Sequence, residues 1–163
     1  MTQNEESQPA VSLRPVTEED LPQILQIEGR VHLAPWTLDN FRGELAKPYT
    51  SFLVLTDDET DAVIYGYIVG QMLFDECQIL NVAVDLPHRG LGYAKLMMRK
   101  MAGLSVQKGI RRITLEVRKS NLAAVQLYHG LGLSIRQIRK QFYSNGEDAY
   151  FMAADLDEGK VTF

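Results

Sequence analysis

The stretch from Asn81 to Lys100 reads NVAVDLPHRGLGYAKLMMRK and decides how the chain folds. It begins with an apolar, β-branched run typical of a strand end. A turn over residues 85–88 then leads through Gly90 and Gly92 into a segment of good helix formers. Glycines at such a junction let the backbone approach a ligand, and the free N–H groups of the first helical turn favour an anion. The stretch therefore predicts a binding site for a phosphate or pyrophosphate.

The spacing of these glycines excludes two common classes of phosphate-binding loop. A Walker loop requires Gly-Lys-Ser or Gly-Lys-Thr, which the chain lacks, and a dinucleotide fingerprint requires a third glycine where Lys95 stands. The run Arg89-x-x-Gly92-x-Ala94 instead fits the pattern Arg/Gln-x-x-Gly-x-Gly/Ala. That pattern resembles the acetyl-coenzyme A loop of the GNAT superfamily of N-acetyltransferases. Taken alone, the six residues fit an ordinary glycine-rich turn equally well.

Length and composition limit the class of protein. The 163 residues suit a single domain, predicted at 11–156 between a disordered tail at 1–10 and a short tail at 157–163. A net charge of −4 argues against direct nucleic-acid binding and is compatible with a basic protein as substrate. The single Cys77 excludes an internal disulfide, and the three histidines lack metal-ligand spacing, so we expect no metal. Without a signal peptide or an apolar run of membrane-spanning length, we expect a cytoplasmic protein with no membrane partner.

Hydrophobic periodicity predicts an alternating α/β chain. Seven strands are expected at residues 11–16, 51–56, 62–74, 78–84, 112–118, 135–142 and 148–154. Four helices are expected at 17–31, 38–46, 90–108 and 121–131, the second one capped by Thr37. Strands and helices that alternate in this way around a mixed sheet indicate a three-layer domain.

This order of elements resembles the GNAT fold over residues 11–156. The resemblance implies a mixed, twisted sheet of about seven strands with helices on both faces. It also implies that the strand ending at Val84 splays away from the strand that carries Glu116. The pantetheine arm of acetyl-CoA would lie in the gap between these two splayed central strands.

Four further stretches point to one group within that superfamily. The segment from Leu115 to Gly132 has the pattern LEVRxSNxxAxxLYxxLG, which resembles the RimI group of GNAT enzymes. Residues 35–37 (PWT), 139–143 (RKQFY) and 146–152 (GEDAYFM) resemble other segments of that group in the same order. RimI enzymes acetylate the N-terminal alanine of a small-subunit ribosomal protein. One departure is Phe142, which stands where the first of two tyrosines is usual and could alter acceptor contacts.

The resemblance assigns roles residue by residue. Glu116 would be the general base and Tyr128 the general acid for the coenzyme A sulfur. The pantetheine and acetyl end would contact Val82, Ala83 and Val84, while Asn121 would also bind the cofactor. The pyrophosphate would be held by Arg89, Gly90, Leu91, Gly92, Tyr93, Ala94 and Lys95. Trp36 and Tyr143 would line the groove for the acceptor peptide.

The residues alone also allow ordinary structural roles for Glu116 and Tyr128. Glu116 lies on the polar face of its strand with Thr114 and Arg118, where a solvated carboxylate is ordinary. Tyr128 lies on the apolar stripe of its helix, where a core aromatic is ordinary.

Three functions remain compatible with the sequence. The first is a RimI-like N-terminal acetyltransferase that transfers acetyl directly in a ternary complex. The second is a GNAT enzyme that acts on another amine, either an internal lysine or a small molecule. The third is a non-catalytic acetyl-CoA-binding module. A competing enzyme mechanism would use Cys77 as an acyl-carrying nucleophile, but no predicted helix N-terminus lies near it to lower its pKa.

Overall fold

Seven strands and four helices build the part of the chain that the structure, a computed structural model, describes: residues 10–156. The strands are β1 (Val11–Pro15), β2 (Thr50–Asp57), β3 (Ile64–Leu73), β4 (Glu76–Val84), β5 (Arg112–Arg118), β6 (Ser134–Arg139) and β7 (Ala149–Asp155). The helices are α1 (Leu21–Val31), α2 (Leu38–Leu45), α3 (Tyr93–Gln107) and α4 (Leu122–Gly130). The predicted tails at 1–10 and 157–163 lie outside the described residues, apart from Ala10. None of these four helices is long and apolar enough to cross a membrane.

The strands form one mixed sheet in the order β1-β2-β3-β4-β5-β7-β6. Every neighbouring pair is antiparallel except β4 and β5, which run parallel and are joined by the crossover through α3. The expected fold class, element order and strand number are therefore confirmed.

The two central strands pair over only part of their length. The ladder between β4 and β5 runs from Glu76 opposite Arg112 to Ile79 opposite Leu115 and goes no further. Immediately after that point the β3–β4 register shifts, which leaves Leu80 as an extra residue on β4. An extra residue of this kind bends a strand and increases its local twist. The bend separates the carboxyl ends of β4 and β5, and this is the splay that the resemblance implied.

Apolar side chains cover both faces of the sheet. On one face, α3 and α4 pack against it through a core that includes Met97, Met101, Leu115 and Tyr128. On the other face, α1 and α2 pack through a core that includes Leu21, Ile24, Phe41, Tyr67 and Val69. Each helix thus buries one apolar stripe against the sheet, as an amphipathic surface helix does.

Several element boundaries predicted from sequence were wrong. Helix α3 begins at Tyr93 rather than at residue 90, because Gly90 and Gly92 have φ angles of 78° and 81°, which are incompatible with a right-handed helix. The first helix begins at Leu21, after a single 3-10 turn over Glu18–Asp20. Strand β6 ends at Arg139, three residues early, and the chain then turns with Gln141 at a φ of 50°.

Candidate functional site

A cleft of about 990 Å³ opens where β4 and β5 separate. Its floor is formed by the strand ends 79–84 and 115–118. The end of α1 and the loop before α2 line one side, and the first turns of α3 and α4 line the other. The gap between the two strands therefore connects the α1 face of the sheet with the α4 face.

The start of α3 gives the cleft a site for an anion. Gly92 is the N-cap residue, and the first intrahelical bond recorded there runs from the Leu96 N–H to its carbonyl at 3.1 Å. The first helical N–H groups are free of such bonds and carry the positive end of the helix dipole. Arg89 and Lys95 line the same part of the cleft, and the first turn of α3 contains no acidic residue. This arrangement fits a pyrophosphate.

The glycines before α3 are required by backbone conformation and not by crowding. A Cβ atom added at Gly90 or Gly92 would meet no atom within 4 Å, but both residues have left-handed φ angles. A side chain at either position would strain the turn that aims the N–H groups.

The diverging strand end offers main-chain groups to a ligand. Val82, Ala83 and Val84 line the cleft beyond the last β4–β5 pair, while their other edge pairs with β3. An extended ligand with amide groups can bind to such an exposed edge as an added strand does. These residues fit the pantetheine arm of coenzyme A.

Glu116 reaches the cleft from β5. Its neighbours Leu115 and Val117 are buried on the α4 face, so alternation along the strand directs the Glu116 carboxylate to the α1 face. The side chain is 14% exposed. Its Oε2 accepts a 3.3 Å hydrogen bond from the Gln78 amide, and its Oε1 lies 3.5 Å from Nε of Arg139. Both contacts are long, which leaves lone pairs of the carboxylate unused.

Tyr128 reaches the same cleft from α4, on the opposite face of the sheet. Burial, together with the nearby Tyr143, raises the pKa of its phenol above the ordinary value of 10. A phenol with a raised pKa keeps its proton at neutral pH and can donate it. Tyr128 therefore has the properties of a general acid.

Two further predicted residues line the cleft beside Tyr128. The Asn121 carboxamide oxygen accepts a 3.2 Å bond from the Ala124 N–H and so caps α4, which leaves its NH₂ group for a ligand. Tyr143 is held by Arg118, whose guanidinium carbon lies 3.9 Å from the centre of the phenol ring. This stacked contact fixes the Tyr143 ring at the edge of the cleft.

The structure brings nearly all predicted site residues together. The cleft is lined by Trp36, Val82, Ala83, Val84, Arg89, Gly90, Gly92, Tyr93, Ala94, Lys95, Glu116, Asn121, Tyr128 and Tyr143. Leu91 is 37% exposed and is not among the lining residues. The ring of Tyr93 stacks on Tyr65 in the core at 5.6 Å, so its contribution to an anion site is limited to the backbone.

Cys77 lies away from this chemistry. It is fully buried in the core under α3 and does not line the cleft. Burial raises the pKa of its thiol, which disfavours the thiolate that a nucleophile requires.

Sequence reasoning missed one group of polar residues in the cleft. Glu28 of α1 is 1% exposed and contacts Asn81, Tyr67 and the Trp36 N–H, and Asn81 in turn contacts His32. A signal was present in the sequence, because Glu28 lies seven residues after the core residue Leu21 and four after Ile24. That spacing places a carboxylate on the core-facing stripe of an amphipathic helix, where it requires partners.

Comparisons with known proteins agree with this geometry. A sequence model of the acetyltransferase (GNAT) family matches residues 13–133. A protein of Bacillus subtilis, described as a putative ribosomal protein bS18-alanine N-acetyltransferase, is 36% identical over 149 residues, covering 90% of this chain and 97% of the relative. The ribosomal protein bS18-alanine N-acetyltransferase of Salmonella typhimurium is 33% identical over 140 residues, covering 84% and 92%. The crystal structure of the ribosomal-protein-S18-alanine N-acetyltransferase from Escherichia coli superposes with a TM-score of 0.82 at 28% identity, covering 91% of this chain and 96% of that one.

Proposed function

The chain belongs to the acetyltransferase (GNAT) family, and we propose that it transfers an acetyl group from acetyl-CoA to the N-terminal alanine of ribosomal protein bS18. The observation that carries the proposal is the cleft between β4 and β5, which joins an anion site at α3 to a carboxylate and a protonated phenol. The acceptor follows from the curated relatives that cover most of this chain. With a ribosomal protein as acceptor, we propose that the reaction takes place in the cytoplasm.

The reaction sets three requirements on the chain. The acceptor amine must lose a proton, the charge that develops on the thioester oxygen must be stabilised, and the departing thiolate must gain a proton. A protein α-amine has a pKa of roughly 8 against about 10.4 for lysine, so a weak base can neutralise it near neutral pH. A carboxylate such as Glu116 meets the first requirement, directly or through a water.

The two proton-transfer groups reach the cleft from opposite faces of the sheet. Glu116 projects from the α1 face, beside the loop that carries Trp36, so the acceptor N-terminus would enter on that face. Tyr128 belongs to α4 and would protonate the sulfur on the other face. A backbone N–H near Val84 would stabilise the charge on the thioester oxygen. With both groups in one cleft, transfer would be direct, in a ternary complex.

The residues that would hold acetyl-CoA follow the line of the cleft. Arg89, Lys95 and the first N–H groups of α3 would bind the pyrophosphate, and the free edge of β4 at 82–84 would bind the pantetheine amides. Acetyl-CoA supplies the activated acetyl group; every other requirement falls on the protein.

A peptide panel tests this proposal. Purified protein is incubated with acetyl-CoA and peptides that begin with alanine, with each other residue, or with a blocked N-terminus and an internal lysine, and acetylation is read by mass spectrometry. We expect modification of the α-amine of alanine-initiated peptides, most strongly with the bS18 sequence. Acetylation of the N-blocked lysine peptide at an equal rate would instead favour an enzyme for another amine.

A further inference from the structure

Glu28 is a buried carboxylate whose hydrogen-bonding capacity is fully used. Its Oε1 accepts a 3.0 Å bond from the Trp36 N–H and a 3.1 Å bond from the Asn81 amide. Its Oε2 accepts a 3.0 Å bond from the same amide and another from the Tyr67 hydroxyl. Three donor groups, the Trp36 N–H, the Asn81 NH₂ and the Tyr67 hydroxyl, make these four contacts, two to each carboxylate oxygen. Glu28 therefore has no free position for a substrate, although it lines the cleft.

These bonds join the two parts of the site that must be held in register. Trp36 lies in the loop between α1 and α2, beside the cleft. Asn81 follows directly after the extra residue of β4, at the start of the diverging strand end. The bulge turns two consecutive side chains, those of Leu80 and Asn81, toward the α1 face. Glu28 thus connects the loop beside the acceptor with the strand that would hold the thioester.

Through Asn81, the carboxylate also determines which ring nitrogen of a neutral His32 carries the proton. Because Glu28 only accepts, the NH₂ group of Asn81 must face it, and the Asn81 carbonyl oxygen must then face His32. The 2.9 Å contact between Nε2 of His32 and that oxygen therefore requires a proton on Nε2. In a neutral imidazole the other nitrogen, Nδ1, is then an acceptor. Within residues 10–156, Nδ1 has no hydrogen-bond partner, and the ring lines the cleft and is 34% exposed.

We propose that Glu28, Asn81 and His32 form the subsite for the α-amine of the acceptor, in which Nδ1 of His32 accepts a hydrogen bond from that amine. Glu28 acts through Asn81 and is a positioning residue. His32, Asn81 and Glu116 all line the cleft on the α1 face, which is the side where the acceptor amine would enter and could contact the imidazole and the carboxylate. Two fixed N–H contacts would aim the nitrogen lone pair toward the thioester. This inference rests on the proposed N-terminal acetyl transfer.

A binding experiment without turnover tests the subsite. Affinity is measured by calorimetry, in the presence of CoA, for an alanine-initiated peptide and for its des-amino analogue, in which a propionyl group replaces alanine. We expect wild-type protein to prefer the free amine by about 10-fold or more, the usual worth of a hydrogen bond to a charged group. His32→Phe should lower that ratio, because only the contact of the amine with Glu116 then remains, and should leave affinity for CoA unchanged.

Glu28→Gln should also reduce the ratio, because a glutamine offers only one acceptor oxygen to the three donor groups and releases Asn81. The matched control is Glu44→Gln. Glu44 is a buried carboxylate of α2 on the same face of the sheet, bound by Lys47, Thr50 and Gln71, and it does not line this cleft. This control should keep the wild-type ratio. If Glu28→Gln does not fold, His32→Phe decides alone, since that side chain is partly exposed.

Different results would contradict the subsite and the proposed function. If His32→Phe weakens binding of both peptides by the same factor, or leaves the ratio unchanged, His32 only supports packing and the subsite is wrong. Failure of the proposed function has a different signature, because wild-type protein would then show no preference for the free amine and no acetylation of the peptide panel.

Discussion

Two carboxylates line the cleft on the same face of the sheet, and the protein holds them in opposite ways. Glu116 is partly exposed and has two long contacts, at 3.3 Å and 3.5 Å, with Gln78 and Arg139. Glu28 is 1% exposed and accepts four hydrogen bonds. A carboxylate with unused lone pairs can take a proton from a substrate, whereas a saturated one serves as a fixed charge that orders its donors. Hydrogen-bond saturation, not location in a cleft, therefore separates a candidate base from a positioning residue.

Removing the charge of Glu116 should give the largest loss of activity. We expect Glu116→Gln to lower kcat by roughly 10²-fold or more, the usual size of general base catalysis, and to leave acetyl-CoA affinity unchanged. Steady-state kinetics with an alanine-initiated peptide measures the effect. Retention of full activity would exclude Glu116 as the base.

The phenol on the other face should matter almost as much. We expect Tyr128→Phe to lower kcat by about 10²-fold, because the departing thiolate loses its proton donor. The pKa of Tyr128 is raised, so its proton is retained above pH 10. Wild-type activity should therefore show no loss from titration of this phenol as the pH rises to 10. An alkaline limb below pH 9 that disappears in Tyr128→Phe would contradict this assignment.

For protein stability, the larger loss should come from the change at Glu28 and the smaller one from the change at Glu116. We expect Glu28→Gln to lower the free energy of unfolding by about 2 kcal/mol, because one of the two oxygens that the three buried donor groups contact is replaced by an NH₂ group. Glu116→Gln should change it by no more than about 0.5 kcal/mol, as expected for a partly exposed site with weak contacts. Urea denaturation of both variants measures the difference. Equal losses of unfolding free energy in the two variants would show that Glu28 is held no more firmly than Glu116.

Cys77 should show the smallest effect on turnover. We expect Cys77→Ala to retain wild-type kcat, because the thiol is buried away from the cleft and its pKa is raised. The lost sulfur should cost about 1 kcal/mol of stability through the small cavity that it leaves. Loss of turnover with retained stability would revive the acyl-cysteine mechanism.

Most of the residues that line the cleft could be named from sequence because they lie in local patterns. The turn before α3 is encoded by Gly90 and Gly92, and the positions of Glu116 and Tyr128 follow from motifs within single elements. The Glu28 group could not be found in this way, since its members come from α1, β3 and β4 and are up to 53 residues apart. Local spacing shows that Glu28 faces the core, but it does not identify the residues that donate hydrogen bonds to the Glu28 carboxylate there.

The sequence by itself determined the alternation of strands and helices, the turn that forms an anion site, and the family to which the chain belongs. The first two features depend on side-chain period and on the φ angles that glycine permits, which are local properties, whereas the family was recognised from motifs that resemble those of its members. Only the tertiary structure decided where β4 leaves β5, which carboxylate keeps unused lone pairs and which is fixed by its donors. Those outcomes depend on a bulge and on contacts between distant residues, and the energy of such contacts is defined only once the sheet has assembled.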